Sequence, residues 1–126
     1  MSNSAIQTSH APAAIGPYSH GVQAGDTLYI SGQLPIDPAT GNFAGDDAAS
    51  QTRQSLTNIR SILNQAGADM SNVVKTTVML ANIEDFSAMN EVYAQFFSEP
   101  YPARAAYQVA CLPKNALVEI ECIAVK

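Results

Sequence analysis

No tryptophan occurs among the 126 residues, and cysteine appears only twice, as Cys111 and Cys122. Two thiols are too few for a disulfide framework, and no CxxC or Cys/His cluster has zinc-site spacing. His10 and His20 stand apart with no cysteine beside them, so no metal is implied. Charge is scarce as well. Charged residues make up 13% of the chain, against roughly 25% in an ordinary domain. Little of that charge is basic: six Lys and Arg stand against eleven Asp and Glu, for a net charge of −5. A nucleic-acid binder driven by phosphate contacts needs a basic patch, and so does adhesion to anionic membranes, so neither partner is expected. No apolar run approaches the ~18 residues of a membrane span. The first fourteen residues lack the basic start and apolar middle of a signal peptide. The expected setting is the cytoplasm. Internal repeats and low-complexity stretches are missing. So are GxSxG, GxGxxG and GxxxxGK[ST], which removes a nucleophile elbow and a phosphate loop, and no cofactor is implied.

What is present suits one domain over residues 1–126, with 1–10 expected to be a loose N-terminal segment. At 13.3 kDa and 47% apolar residues, such a chain can bury roughly two thirds of its unfolded surface. With so few charges, part of the outer surface is expected to be covered by copies of the same chain.

Two short strands are predicted at Gly21–Gln23 and Leu28–Leu34, joined by a hairpin turn at Ala24-Gly25-Asp26. A loop over residues 35–45 carries Pro35, Pro38, Gly41 and Gly45. Ala48, Thr52, Leu56, Ile59, Leu63 and Ala66 recur at helical spacing, predicting a helix from about Asp46 to Ala66. Asp46 or Asp47 would cap it and Gly67 would end it. Val73–Leu80 is rich in β-branched residues and reads as a strand. A second helix is predicted from about Ile83 to Phe97, capped by Asn82, with Phe86, Met89, Tyr93 and Phe96 as its apolar stripe. Ala105–Ala110 and Val118–Val125 read as the last strands, around a turn at residues 112–115. The order ββ-α-β-α-ββ predicts an α+β two-layer domain, a mixed sheet with two helices on one face.

Two charged residues stand out. Arg104 opens a strand of small residues just after Pro102-Ala103. Its planar fork is suited to a carboxylate or phosphate, although position alone also fits a surface arginine. Glu119 lies inside the last strand, where the period of two puts it on one face with Leu117, Glu121 and Ile123. An acid on a mostly apolar face is either a base with a raised pKa or a charge guarding an exposed edge strand. Asn90 borders the apolar stripe of the second helix and fits a ligand contact or a buried amide. Gly16-Pro17-Tyr18 and Ser31-Gly32 fit close approach to a ligand, or simple turns.

Several blocks together resemble the Rid family, the reactive intermediate deaminases, also labelled YjgF-like or L-PSP endoribonuclease-like. The first is APAAIGPYSHGV at residues 11–22, the second ISGQLPIDPATG at 30–41. The most specific is PARAAYQVACLPK at 102–114, followed by VEIE at 118–121. The resemblance spans about residues 10–126. It implies a chorismate-mutase-like fold and a homotrimer with a central barrel and clefts between subunits. It also implies hydrolysis of 2-iminobutanoate or 2-iminopropanoate to the 2-oxo acid and ammonia, without metal or organic cofactor. In that reading Arg104 holds the substrate carboxylate and Glu119 activates water. Tyr18, Ser31, Gly32, Asn90 and Ala106 line the substrate cleft. Many members carry a cysteine where this chain has Ala106. Two other readings remain: an endoribonuclease or translation inhibitor, and a non-catalytic module binding a 2-oxo acid.

Overall fold

Helix α1 shows how local signals set the frame. It runs Ala48–Gln65, and the Asp47 side chain caps it by accepting from Ser50 N. It stops at Gly67, whose φ of +78° is the left-handed conformation of a helix C′ residue. The computed structural model describes residues 3–126. The remaining elements are β1 (Ser4–Ile6), β2 (Gly21–Ala24), β3 (Thr27–Gln33), β4 (Val73–Leu80), α2 (Phe86–Tyr93), β5 (Ala103–Gln108) and β6 (Val118–Val125).

The strands form one sheet in the order β1-β2-β3-β6-β4-β5. β4 and β5 are parallel and all other neighbours are antiparallel. The parallel pair needs a crossover, which α2 supplies, and the last strand, β6, inserts between β3 and β4. The α+β class, the mixed sheet and its two helices match the expectation.

In β6 the even positions Val118, Ile120, Cys122 and Ala124 are buried. They meet Leu56, Ile59, Ile62 and Leu63 of α1, which are 0–1% exposed, and Met89 and Tyr93 of α2. At about 1.5–3 kcal/mol for each large apolar side chain, this layer is the main stabilising term. The odd positions face the opposite side, which no helix covers among the described residues. There Tyr29, Tyr107 and Val125 keep 50%, 46% and 43% exposure.

Three expectations need correction. The N-terminal segment is not loose from residue 4 on, because β1 pairs with β2 from Ser4↔Gln23 to Ile6↔Gly21 and buries Ile6 in the core. Met1 and Ser2 lie outside the described residues. The second helix is shorter than its sequence pattern. Asn82 caps a 3₁₀ turn at Ile83–Asp85, and α2 starts only at Phe86. After Tyr93 the bonds tighten to three-residue steps, Gln95 N to Val92 O and Phe96 N to Tyr93 O. That tightening puts Phe97, rather than Phe96, against Tyr93, with ring centroids 4.6 Å apart. Finally, β5 begins two residues earlier than expected, at Ala103 in register with Lys75.

Candidate functional site

Glu119 sits on the open face of the sheet, opposite Met79 of β4. Beside it the β3–β6 ladder is interrupted: Ile30 pairs with Cys122 and Gln33 with Ile120, so Ser31 and Gly32 together oppose Glu121. The bulge takes Ser31 out of that ladder, its N–H donating to the His20 carbonyl at 2.9 Å and its carbonyl accepting from Gln33 Nε2 at 3.3 Å. The approach is close, since a Cβ on Gly32 would lie 2.5 Å from Glu119 Oε2. A side chain there would have to displace the Glu119 carboxylate. Ser31 Oγ donates to the Ser19 carbonyl at 2.6 Å, which brings the Tyr18 segment alongside the bulge. Tyr18, Ser31, Gly32, Glu119 and Glu121 therefore line one cleft of about 640 Å³, closed by the 12–15 loop and by Pro113 and Lys114. Burial raises the Glu119 pKa above the ordinary glutamate value, and the negative charge of Glu121 adds to that.

Arg104 lies on the other face. It pairs in register with Thr76, whose side chain is fully buried on the helix side. Its Nη1 donates to Asn90 Oδ1 at 2.7 Å. The guanidinium carbon stands 4.7 Å from the Tyr93 ring centroid and 5.4 Å from that of Phe86. Two rings and an amide thus fix the plane of the fork and leave further N–H groups for an anion. The Tyr93 hydroxyl is itself held, 2.8 Å from Thr76 Oγ1. Arg104, Asn90, Tyr93 and Tyr101 line a second open cleft of about 510 Å³.

The candidate residues thus fall into two groups on opposite faces of one sheet. Tyr18, Ser31, Gly32 and Glu119 meet; Arg104 and Asn90 meet; among the described residues the two clefts share no lining residue. Ala106, two residues beyond Arg104, packs against the core cluster and lines neither cleft. Lys114 was not singled out from the sequence. It lines the Glu119 cleft from the turn at residues 112–115, where it takes a φ of +57°. The apolar stripe of the second helix includes Phe86 and Tyr93, and these two rings flank the Arg104 guanidinium as well. Their spacing with Asn90 on one helix face was the available signal that they also flank a polar partner.

A family model described as Endoribonuclease L-PSP matches residues 8–126. The chain belongs to this family. It is 58% identical to the 2-iminobutanoate/2-iminopropanoate deaminase of Capra hircus over 96% of this chain and 88% of that protein. Among solved L-PSP and Rid structures it superposes on the Rid-family protein YyfA of Yersinia pestis with a TM-score of 0.96. The identity there is 47%, over 99% of this chain and all of that one (100%). Escherichia coli TdcF, solved with bound serine, gives a TM-score of 0.93 at 44% identity, over 98% of each chain.

The two thiols of this L-PSP family member differ sharply. Cys122 is buried and its pKa is pushed up to about 12, by burial first and by the Glu121 charge second; Cys111 is exposed. At neutral pH iodoacetamide should label Cys111 and leave Cys122 unlabelled in the folded protein, as read by mass spectrometry. Fast labelling of Cys122 would show that β6 opens.

Proposed function

We propose that the protein hydrolyses 2-imino acids such as 2-iminopropanoate and 2-iminobutanoate, releasing the 2-oxo acid and ammonia. The observation that carries this reading is a half-buried glutamate with a raised pKa, set against the glycine of a β-bulge in an open cleft. The identity to named imine deaminases supports it. Arg104 binds the substrate carboxylate through its free N–H groups. Glu119 accepts a proton from water as the oxygen adds to C2, and the carbon–nitrogen double bond opens. That proton passes to nitrogen, giving the carbinolamine; Glu119 then takes the proton of the new hydroxyl and hands it to nitrogen, so that the carbon–nitrogen bond breaks, ammonia leaves and C2 becomes a carbonyl. The imine is already electrophilic, so positioning and one base suffice, and the chemistry requires no metal or organic cofactor.

Because Arg104 and Glu119 occupy opposite faces of one sheet, the same reading requires a second copy to bring them together. The uncovered face with Tyr29, Tyr107 and Val125 is apolar enough to be buried against other subunits. We therefore propose a homotrimer with clefts between subunits, acting in the cytoplasm on small 2-imino acids. RNA is not a partner in this reading, since Glu119 and Glu121 in the larger cleft and a net charge of −5 repel phosphates.

The test is ammonia and 2-oxo acid release from imine generated in situ, alongside light scattering. The expected result is accelerated hydrolysis by a species of about three subunits. Hydrolysis no faster than in buffer, or full activity in a monomer, overturns the corresponding half of the proposal. Acidity gives a second check. The carboxylate is the form of Glu119 that accepts the proton, so kcat/KM should fall on acidification, and at a higher pH than for an exposed glutamate. Glu121→Gln removes one of the two causes of the raised pKa and should move that acid limb to lower pH. An unmoved limb would show that the Glu121 charge does not reach Glu119.

A further inference from the structure

The His20 ring is buried, at 4% exposure, and its two nitrogens have opposite partners. Nδ1 lies 3.2 Å from the Thr8 backbone nitrogen, which can only donate, so Nδ1 carries a lone pair. Nε2 lies 2.7 Å from the Pro12 carbonyl, which can only accept, so Nε2 carries the proton. The two contacts together require the neutral, Nε2-protonated tautomer. The His20 main chain is engaged too, since its carbonyl accepts from Ser31 N–H at 2.9 Å. One residue thus ties the N-terminal segment, at Thr8 and Pro12, to the bulge beside Glu119.

Between these anchors the chain forms a wall of the Glu119 cleft through Pro12, Ala13, Ile15 and Tyr18. Within one chain Ile15 and Tyr18 keep 80% and 51% exposure, so their own subunit packs little against that wall. Within the chain its placement falls to the His20 contacts and to the Ser31 Oγ bond to the Ser19 carbonyl.

We propose that His20 is a positioning residue for the substrate site. Its neutral ring clamps Thr8 and Pro12 so that the wall at residues 12–18 stands at the mouth of the Glu119 cleft and sets substrate affinity. The kinetic part rests on the imine-hydrolysis reading; the tautomer does not.

Nitrogen-15 NMR of the assembled wild-type protein tests the tautomer without substrate, with the His20 signal assigned by its loss in His20→Gln. A protonated Nε2 and an unprotonated Nδ1 are expected. A Nδ1-protonated or doubly protonated ring at neutral pH overturns the proposal. Kinetics test the clamp. Leucine leaves Thr8 N–H and the Pro12 carbonyl without partners, so His20→Leu should raise KM about tenfold with little change in kcat. Glutamine carries an acceptor and a donor separated by one carbon, as the ring nitrogens are, so His20→Gln should restore KM to within about twofold of wild type. Wild-type KM in His20→Leu, or failure of His20→Gln to rescue, reduces His20 to a packing residue. Should His20→Leu not assemble, the glutamine KM and the tautomer decide. Wild-type protein inert toward imines would sink the functional reading while leaving the tautomer and Thr8 amide exchange as direct tests of the clamp.

Discussion

Arg104→Lys should lose roughly 2–4 kcal/mol of transition-state stabilisation, the scale for truncating one partner of a hydrogen-bonded charge pair. In kcat/KM that is a fall of about thirty- to a thousandfold. Lysine keeps the charge, so the expectation rests on geometry. The guanidinium is held by Asn90 Oδ1 at 2.7 Å and lies over the Tyr93 and Phe86 rings. An ammonium has no plane to stack and no fork to present two parallel N–H groups. Arg104 is exposed, so the variant should fold as wild type does. Pyruvate binding, measured by calorimetry on the same samples, should weaken in parallel with activity. If Arg104→Lys binds pyruvate as tightly as wild type, the carboxylate clamp lies elsewhere.

Glu119→Gln should separate binding from turnover. The amide keeps the shape beside Gly32 but cannot take the proton from water, so kcat should fall roughly a hundredfold, within the usual range for a general base. Pyruvate affinity should persist, because the carboxylate grip is assigned to Arg104. Retention of the wild-type rate would remove Glu119 from the chemistry and turn attention to Glu121 and the backbone of the bulge. The two variants also test the shared cleft when combined. A cleft that draws Glu119 from one subunit and Arg104 from its neighbour can be rebuilt from two inactive parents. Arg104→Ala and Glu119→Gln subunits, unfolded together and reassembled in equal amounts, should regain about one quarter of the wild-type activity, as random mixing in a cyclic trimer predicts. No recovery from well-folded mixed trimers would mean that both residues act from one chain.

The pattern of the chain carried much of the frame. β4 and β6 lie where their runs of β-branched and apolar residues put them, at Val73–Leu80 and Val118–Val125. α1 starts at a capping aspartate and ends before a glycine, as its sequence implies. β1 was illegible because three residues hold no measurable period, and the strand exists only through pairing with β2. The buried amides of α1 were also hidden. Gln51 accepts from Leu117 N and donates to the Gly45 carbonyl, while Asn58 donates to the carbonyls of Leu34 and Ile36. These satisfy loop backbone that nothing nearby in sequence announces.

The candidate site divides the same way. That Glu119 and Glu121 share a face follows from alternation within one strand, a property of the local backbone. That Glu119 and Arg104 point to opposite faces does not follow, because parity between strands depends on register. Here the register runs through β4, with Thr76 against Arg104 and Met79 against Glu119, and through a bulge that shifts β3 by one residue. Residue types and spacing sufficed to nominate an arginine, a glutamate and a glycine. Only the paired sheet, whose hydrogen bonds join residues distant along the chain, decided that one copy leaves them apart.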